Sequence, residues 1–271
     1  MVAAIAGVAF ADEPTLQIRA GDEVLTFSRR DLLNRPDAVT IEIPQNPLYP
    51  GRTTTVRAVP VAALFRDVAI PPKATITFHC VDSFAAPISK QRLLNISSAG
   101  AVAYITIEQE NEKWPPMKAE KGEDPKTPAP FYLAWLNPEK SKIGPEEWPY
   151  QLASFSVTLP IEEQYPLIVP SAKLGSDHPI QLGFKTFLKN CFACHTMNGQ
   201  GATQMGPDLN LPYNPTQYLR EDYLKKLIRN PQQLRHWPQA KMNGFTREQI
   251  SEDELRDLIL YLKHMARHKA R

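Results

Sequence analysis

Between Thr15 and Leu159, apolar and polar residues alternate. Val39, Ile41 and Ile43 alternate with Thr40 and Glu42. Ile76, Phe78 and Cys80 alternate with Thr75, Thr77 and His79. Ala153, Phe155, Val157 and Leu159 alternate with Ser154, Ser156 and Thr158. A period of two puts each apolar set on one face of a half-buried strand. One short helix interrupts the strands. Pro60 suits its first position, where no N–H is needed, and Val61, Leu64, Phe65 and Val68 fall on one face. After Pro179 the period becomes helical. Ile180, Phe184, Phe187, Leu188 and Cys191 share a face, and a middle helix is expected over Tyr218–Arg229. The last helix opens on a capping box, Ser251 with Glu254, and carries the stripe Leu255, Leu258, Ile259 and Leu262. Such a cap contributes about 1 kcal/mol.

The change of period predicts two domains, a mainly β, α+β unit over residues 12–159 and an all-α unit over 180–271. Between them, Leu159–Pro179 holds four spaced prolines and is expected to run extended as a linker over 160–179. Glu112–Pro130 has no apolar period and reads as a solvated loop, or as a partner-contact loop. The excess of 26 prolines over 12 glycines favours strands and extended connections over long helices.

Net charge is +2, so the chain as a whole gives no reason to expect a nucleic-acid partner. The charge is uneven. Gly175–Arg271 holds 14 basic and 9 acidic residues against 17 and 20 before it, which supports two units with different surfaces. Residues 1–11 are apolar and end in Ala9-Phe10-Ala11, as in a secretory leader with its cleavage site. The basic start of such a leader is missing, so it is expected further upstream. No other apolar run has the length of a membrane span.

Three cysteines, with no obvious sequence partner for Cys80, do not indicate a disulfide framework. Cys191-Phe192-Ala193-Cys194-His195 reads as a haem-attachment site. Two thiols three residues apart can add to the two vinyl groups of one haem, and the adjacent histidine then supplies a nitrogen to the iron. The rivals are a redox dithiol and half of a zinc site. No second cysteine pair serves zinc, and the immediate histidine disfavours the dithiol.

The surroundings of this motif resemble class I cytochromes c. Gly183, Phe187, Cys191, Cys194 and His195 match the family's G-x3-F-x3-C-x2-C-H opening, and Gly206–Leu209 its G-P-x-L segment. The resemblance implies that Gly183 lets the last helix cross the first closely, with Tyr261 and Leu258 opposite. It implies that the Pro207 carbonyl accepts the Nδ1 proton of His195. It also implies one haem c, with His195 and Met242 as axial iron ligands. The family has proline after that methionine where this chain has Asn243. His236 is the alternative ligand, and Met197, Met205 and Met265 fit the position less well. Trp237 and Arg235 are candidates for the haem propionates. Lys189, Lys225, Lys226, Arg229 and Lys241 are candidates for a basic ring that steers an acidic partner.

The order of elements in the first unit resembles the molybdopterin-binding domain of the sulfite oxidase family. Four stretches carry the likeness: Leu16–Ile43, Val56–Phe84, Pro87–Asn95 and Pro130–Leu159. The family's molybdenum thiolate follows the strand aligned with Val39–Ile43, and here Ile43 stands at or beside that place. Isoleucine cannot ligate a metal, so molybdopterin is expected to be absent. Cys80 shares a face with Ile76 and Phe78 while His79 points away, which favours a buried core thiol over a metal pair. Asp82 is a candidate for capping a turn or lining a pocket.

These readings predict a periplasmic electron carrier. Its partner is a periplasmic dehydrogenase, reductase or terminal oxidase, and the metal-free β unit docks it on that partner or on a second copy. The alternative is a haem oxidoreductase of the sulfite dehydrogenase kind, whose β unit binds a substrate or cofactor.

Overall fold

A computed structural model describes residues 13–118, 124–203, 205–235 and 242–270. The expected leader, residues 1–11, lies outside them. The first unit runs β1 (Thr15–Ala20), β2 (Glu23–Ser28), α1 (Arg29–Leu33), β3 (Val39–Ile43), β4 (Thr54–Pro60), α2 (Val61–Leu64), β5 (Thr75–Cys80), β6 (Ala85–Ile88), α3 (Lys90–Leu93), β7 (Val102–Ile107), β8 (Phe131–Leu136) and β9 (Leu152–Thr158). Two sheets form, with orders β2-β1-β9-β5-β6 and β3-β4-β7-β8. The unit is mainly β, as the alternation predicts.

Apolar faces of both sheets share one core, with Leu16, Ile18, Phe78 and Phe155 from the first and Ile43, Ile105, Leu133 and Trp135 from the second. Each such side chain contributes roughly 1.5–3 kcal/mol when fully buried. The alternation fails in β9. Leu152 and Phe155 are buried, Ala153 and Val157 are half-buried, and Leu159 lies beyond the strand and is 61% exposed. The cause is a register shift: Phe78 pairs with Phe155 and His79 with Ser154, but Cys80 pairs with Leu152. Ala153 is the extra residue of a bulge, which turns Leu152 onto the core face.

The segment expected as an extended linker is folded. It contains α4 (Ile161–Gln164) and a 3₁₀ turn over Pro166–Ile168, and Ile161 and Ile168 belong to the core of the helical unit. Proline spacing constrains the backbone locally, but the apolar residues between the prolines find a core to bury in. The Ile168 carbonyl accepts a hydrogen bond from the Tyr261 hydroxyl at 2.8 Å.

The helical unit follows: α5 (Pro179–Asn190), α6 (Pro215–Tyr218), α7 (Glu221–Arg229), α8 (Pro231–Leu234) and α9 (Glu252–Ala266). The expected middle helix is divided at Leu219-Arg220, and its second part is α7. The capping box Ser251–Glu254 opens α9, with both reciprocal bonds made. The crossing of α5 and α9 organises this core around Phe184, Phe187, Leu258 and Tyr261. Among the described residues no helix is long and apolar enough to cross a membrane.

Candidate haem site

The cysteine motif closes α5. Phe187 and Phe192 are fully buried, with ring centroids 5.8 Å apart, and Tyr165 from the connecting segment packs on Phe192 at 5.1 Å. Pinned by Phe192, the chain turns tightly. The Cys191 carbonyl accepts from the Cys194 N–H at 3.1 Å and from the His195 N–H at 2.9 Å. Both thiols and the imidazole therefore come from a single turn. Both cysteines are free and half-buried, and burial pushes the Cys191 thiol up to about 12.

His195 is held from behind. Its Nδ1 donates to the Pro207 carbonyl at 2.7 Å, so the proton sits on Nδ1 and Nε2 is left as the ring's lone-pair nitrogen. Nε2 makes no hydrogen bond among the described residues. Burial lowers the His195 pKa, partly offset by the Pro207 bond and the nearby Asp208. Gly206 makes the approach possible, since a Cβ there would lie 2.4 Å from Cε1 of His195. Asp208 fixes the same loop by accepting from the backbone N–H groups of Gly199, Asn210 and Leu211, each at 2.7 Å. Burial pushes its carboxyl up, but these donors outweigh burial and hold its pKa below the usual value.

The donor set fits a covalently attached haem. Two thiols on one turn match its two vinyl groups, and an imidazole with its outer nitrogen committed leaves Nε2 for the iron. Met242 is half-buried and packs against the helical core. The segment after it is anchored: Gly244 runs so close to α7 that a Cβ would meet the Arg229 carbonyl at 2.3 Å, and Phe245 N–H donates to Ile228 at 3.0 Å. Asn243 is exposed and makes no hydrogen bond among the described residues. Trp237, His236 and Lys241 lie outside the described residues. Arg235 is exposed at the end of α8.

Four of the five residues expected in the basic ring are described. Arg229 donates to the carbonyls of Phe245, Thr246 and Ile250 and pairs with Glu252 at 3.1 Å. Lys225 pairs with Glu221 at 2.8 Å, and Lys226 stands 5.3 Å from the Tyr223 ring centre. Lys189 is sunk toward the first unit: burial lowers its pKa, as does Arg92, while Glu147 and Glu254 act oppositely.

In the first unit Ile43 is buried at 2% exposure. Beside its strand, Tyr49, Thr54, Trp114 and Tyr132 line a cleft of about 170 Å³. A buried Asn46 holds two of these residues: its amide donates to Thr54 at 2.9 Å and to the Tyr132 hydroxyl at 3.1 Å. Cys80 is buried and its thiol is pushed up to about 12, first by burial and then by Asp82. Asp82 itself caps a turn, accepting from the Phe84 N–H at 3.1 Å. Among the described residues no cluster of three or more His, Cys, Asp or Glu is arranged to hold a metal ion.

Two features escape sequence reasoning. The first is a buried chain of Asn198, Asn210 and Asn214. Asn210 donates to Asn198 Oδ1 and to the Met265 carbonyl, and Asn214 donates to Asn210 Oδ1 and to the Leu262 carbonyl. It laces the loop behind His195 to α9. The second is the contact between the units at the cysteine motif. Ala193 is buried in the core of the first unit, and Cys194 packs against that core. The Pro145–Glu147 turn lies there, with Glu146 acting electrostatically on both thiols. Glu147 is bound to Arg92 at 2.8 Å.

A family model described as cytochrome c matches residues 180–266. The C-terminal region is thus a cytochrome c domain, which supports haem c, iron binding and haem-based electron transfer. No curated protein matches the chain.

Proposed function

We propose that this chain is a periplasmic, single-haem electron carrier whose β unit serves recognition or assembly without a metal of its own. The observation that carries the reading is the His195 Nδ1 bond to the Pro207 carbonyl, 2.7 Å long, on the same turn as both cysteines. A haem held there supplies a one-electron iron couple. Cys191 and Cys194 fix it covalently, and the Pro207 carbonyl keeps Nε2 of His195 aimed and electron-rich. Met242 would supply the second iron ligand, which would leave no position for substrate, and Trp237 and Arg235 are assigned to the propionates. The order of strands and short helices supports a sulfite oxidase-like fold for the first unit, and the buried Ile43 supports loss of its molybdenum site. The partner is a periplasmic dehydrogenase, reductase or terminal oxidase.

The test is the full-length protein produced in a host that matures c-type cytochromes. One haem with two thioether links and a six-coordinate reduced spectrum is expected. Met242→Ala is expected to open the iron to carbon monoxide, and an unchanged spectrum would refute Met242 as a ligand. Stoichiometric molybdenum by elemental analysis would refute the metal-free β unit.

One observation favours a second reading, in which the β unit binds a small substrate or cofactor: the cleft of Tyr49, Thr54, Trp114 and Tyr132 beside the Ile43 strand. Reduction of the haem by sulfite alone would support this enzyme reading, and a screen of small oxidisable anions without reduction would count against it.

A further inference from the structure

The cysteine motif sits astride the boundary between the two units. Cys191 packs on the helical core, whereas Ala193, 5% exposed, belongs to the core of the β unit and Cys194 packs against it. The β unit brings the turn Pro145–Glu147 to this boundary, where Glu146 acts on both thiols, and Lys142, which pairs with Glu254 at 4.0 Å. The two carboxyl groups of the turn have different surroundings. Glu147 is satisfied: its Oε2 accepts from the Gly144 N–H at 2.9 Å and from Arg92 at 2.8 Å. Glu146 is not. Its Oε2 is buried and has no hydrogen-bond partner among the described residues. A buried carboxyl oxygen without a partner is costly, and in a folded protein it calls for a physical reason.

The groups near Glu146 supply one. Its carboxyl acts on the thiols of Cys191 and Cys194, and the Lys189 ammonium on α5 acts on it in return. Burial raises its pKa to about 6, so at pH 8 it is ionised. A negative charge in a poorly solvated place beside a redox centre stabilises the oxidised, more positive state.

We propose that the Pro145–Glu147 turn of the β unit is a wall of the haem site on its cysteine side, and that the Glu146 carboxylate is a positioning residue that lowers the reduction potential. This rests on the haem reading given above. It gives the β unit a role within the redox centre of its own chain, besides any docking to a partner. Lys189, the counter-charge, then belongs to this wall instead of to a partner-facing ring.

The experiment is a spectroelectrochemical titration of full-length holoprotein at pH 8, comparing wild type with Glu146→Gln, Glu146→Asp and Glu139→Gln. Glu139 is an exposed carboxylate in the adjoining turn and serves as the control. Glu146→Gln is expected to raise the midpoint potential with the visible spectrum and both thioether links kept. Glu146→Asp is expected to stay near wild type, and Glu139→Gln is expected to leave it unchanged. Equal potentials in wild type and Glu146→Gln would overturn the proposal, as would equal shifts in the Gln and Asp variants, which would mark a packing effect. Should Glu146→Gln not mature, Glu146→Met removes the charge at similar volume and is read the same way. Wild type without covalent haem would instead refute the haem reading itself, so the two failures are distinct.

Discussion

Gly183 on α5 faces the backbone of Asp257 on α9 so closely that a Cβ at position 183 would lie 2.0 Å from the Asp257 carbonyl oxygen and 2.9 Å from Cβ of Tyr261. The obstacle is helix backbone, which cannot rotate aside as a long side chain can. Gly183→Ala gains about 1 kcal/mol of helix propensity but must push the two helices apart. Overpacking of this kind costs roughly 1–3 kcal/mol, and more where backbone is struck. A net loss of about 2 kcal/mol or more is expected. Urea unfolding of the holoprotein checks it, and a variant as stable as wild type would show that the crossing has slack.

The same logic applies at Gly206, where the neighbour is a catalytically plain but chemically decisive ring. A Cβ would stand 2.4 Å from Cε1 and 2.7 Å from Nδ1 of His195. Gly206→Ala must therefore tilt the imidazole or lengthen its 2.7 Å bond to Pro207. Weaker donation from Nε2 is expected to appear as a shifted Soret band and a changed midpoint potential. Wild-type values for both would mean that the loop yields and the ring does not.

Much of this was legible in the sequence, and the exceptions share a cause. The capping box of α9, the apolar faces of α5 and α9, and the buried alternation of Ile41 with Ile43 all follow from neighbours within one element. Their signal is local. Ile168 is different: it lies among prolines that predict an extended path, yet it is 0% exposed because the core of another unit receives it. The bulge at Ala153 is likewise set by pairing with β5, which a single strand's pattern does not contain. In the site, the cysteine–histidine turn and the Pro207 carbonyl were readable from spacing and resemblance. Glu146 was not, because a carboxylate in a Pro-Glu-Glu run reads as a solvated turn until a separate unit is laid over it. The asparagine chain was hidden for a related reason, since asparagine in a loop is ordinarily read as a turn residue.

Glu221 predicts a pH dependence. It bridges Lys225 at 2.8 Å and Lys263 at 2.7 Å, tying α7 to α9. Hydrogen bonds from Lys225, then Lys263, hold its carboxyl down at about 2, against 4.5 for the unperturbed group. A depressed carboxyl contributes stability that is fully present above pH 4.5 and lost as pH falls toward 2. All three side chains are nearly half exposed, so solvent screening leaves only about 0.5–1 kcal/mol at neutral pH. Glu221→Gln is therefore expected to be slightly less stable than wild type at pH 7 and indistinguishable from it near pH 2. Thermal unfolding at both pH values, repeated in high salt, checks this. A deficit that persists unchanged at low pH would mean that Glu221 acts through packing and not charge.

Asn210 predicts a further large effect on stability. It is 0% exposed, and its amide donates to Asn198 at 2.7 Å and to the Met265 carbonyl at 2.8 Å while accepting from Asn214 at 3.0 Å. Asn210→Ala would strand a donor proton on Asn214, and it would take one of two donors from Asn198 Oδ1, which keeps the Ala270 N–H, and from the Met265 carbonyl, which keeps the His268 N–H. A buried donor left unsatisfied costs about 1–3 kcal/mol and each lost hydrogen bond to a still-partnered acceptor costs less, so a loss of roughly 2–3 kcal/mol is expected. Asn210→Asp keeps the shape but loses the two donors, and it should be no better than alanine. The Pro207–Asp208 loop is held separately by the backbone donors of Gly199, Asn210 and Leu211, so covalent haem attachment should survive both changes. Denaturant unfolding beside a haem-content assay separates the two effects. Loss of attachment with little loss of stability would place the asparagine chain in the assembly of the site and not in the fold that supports it.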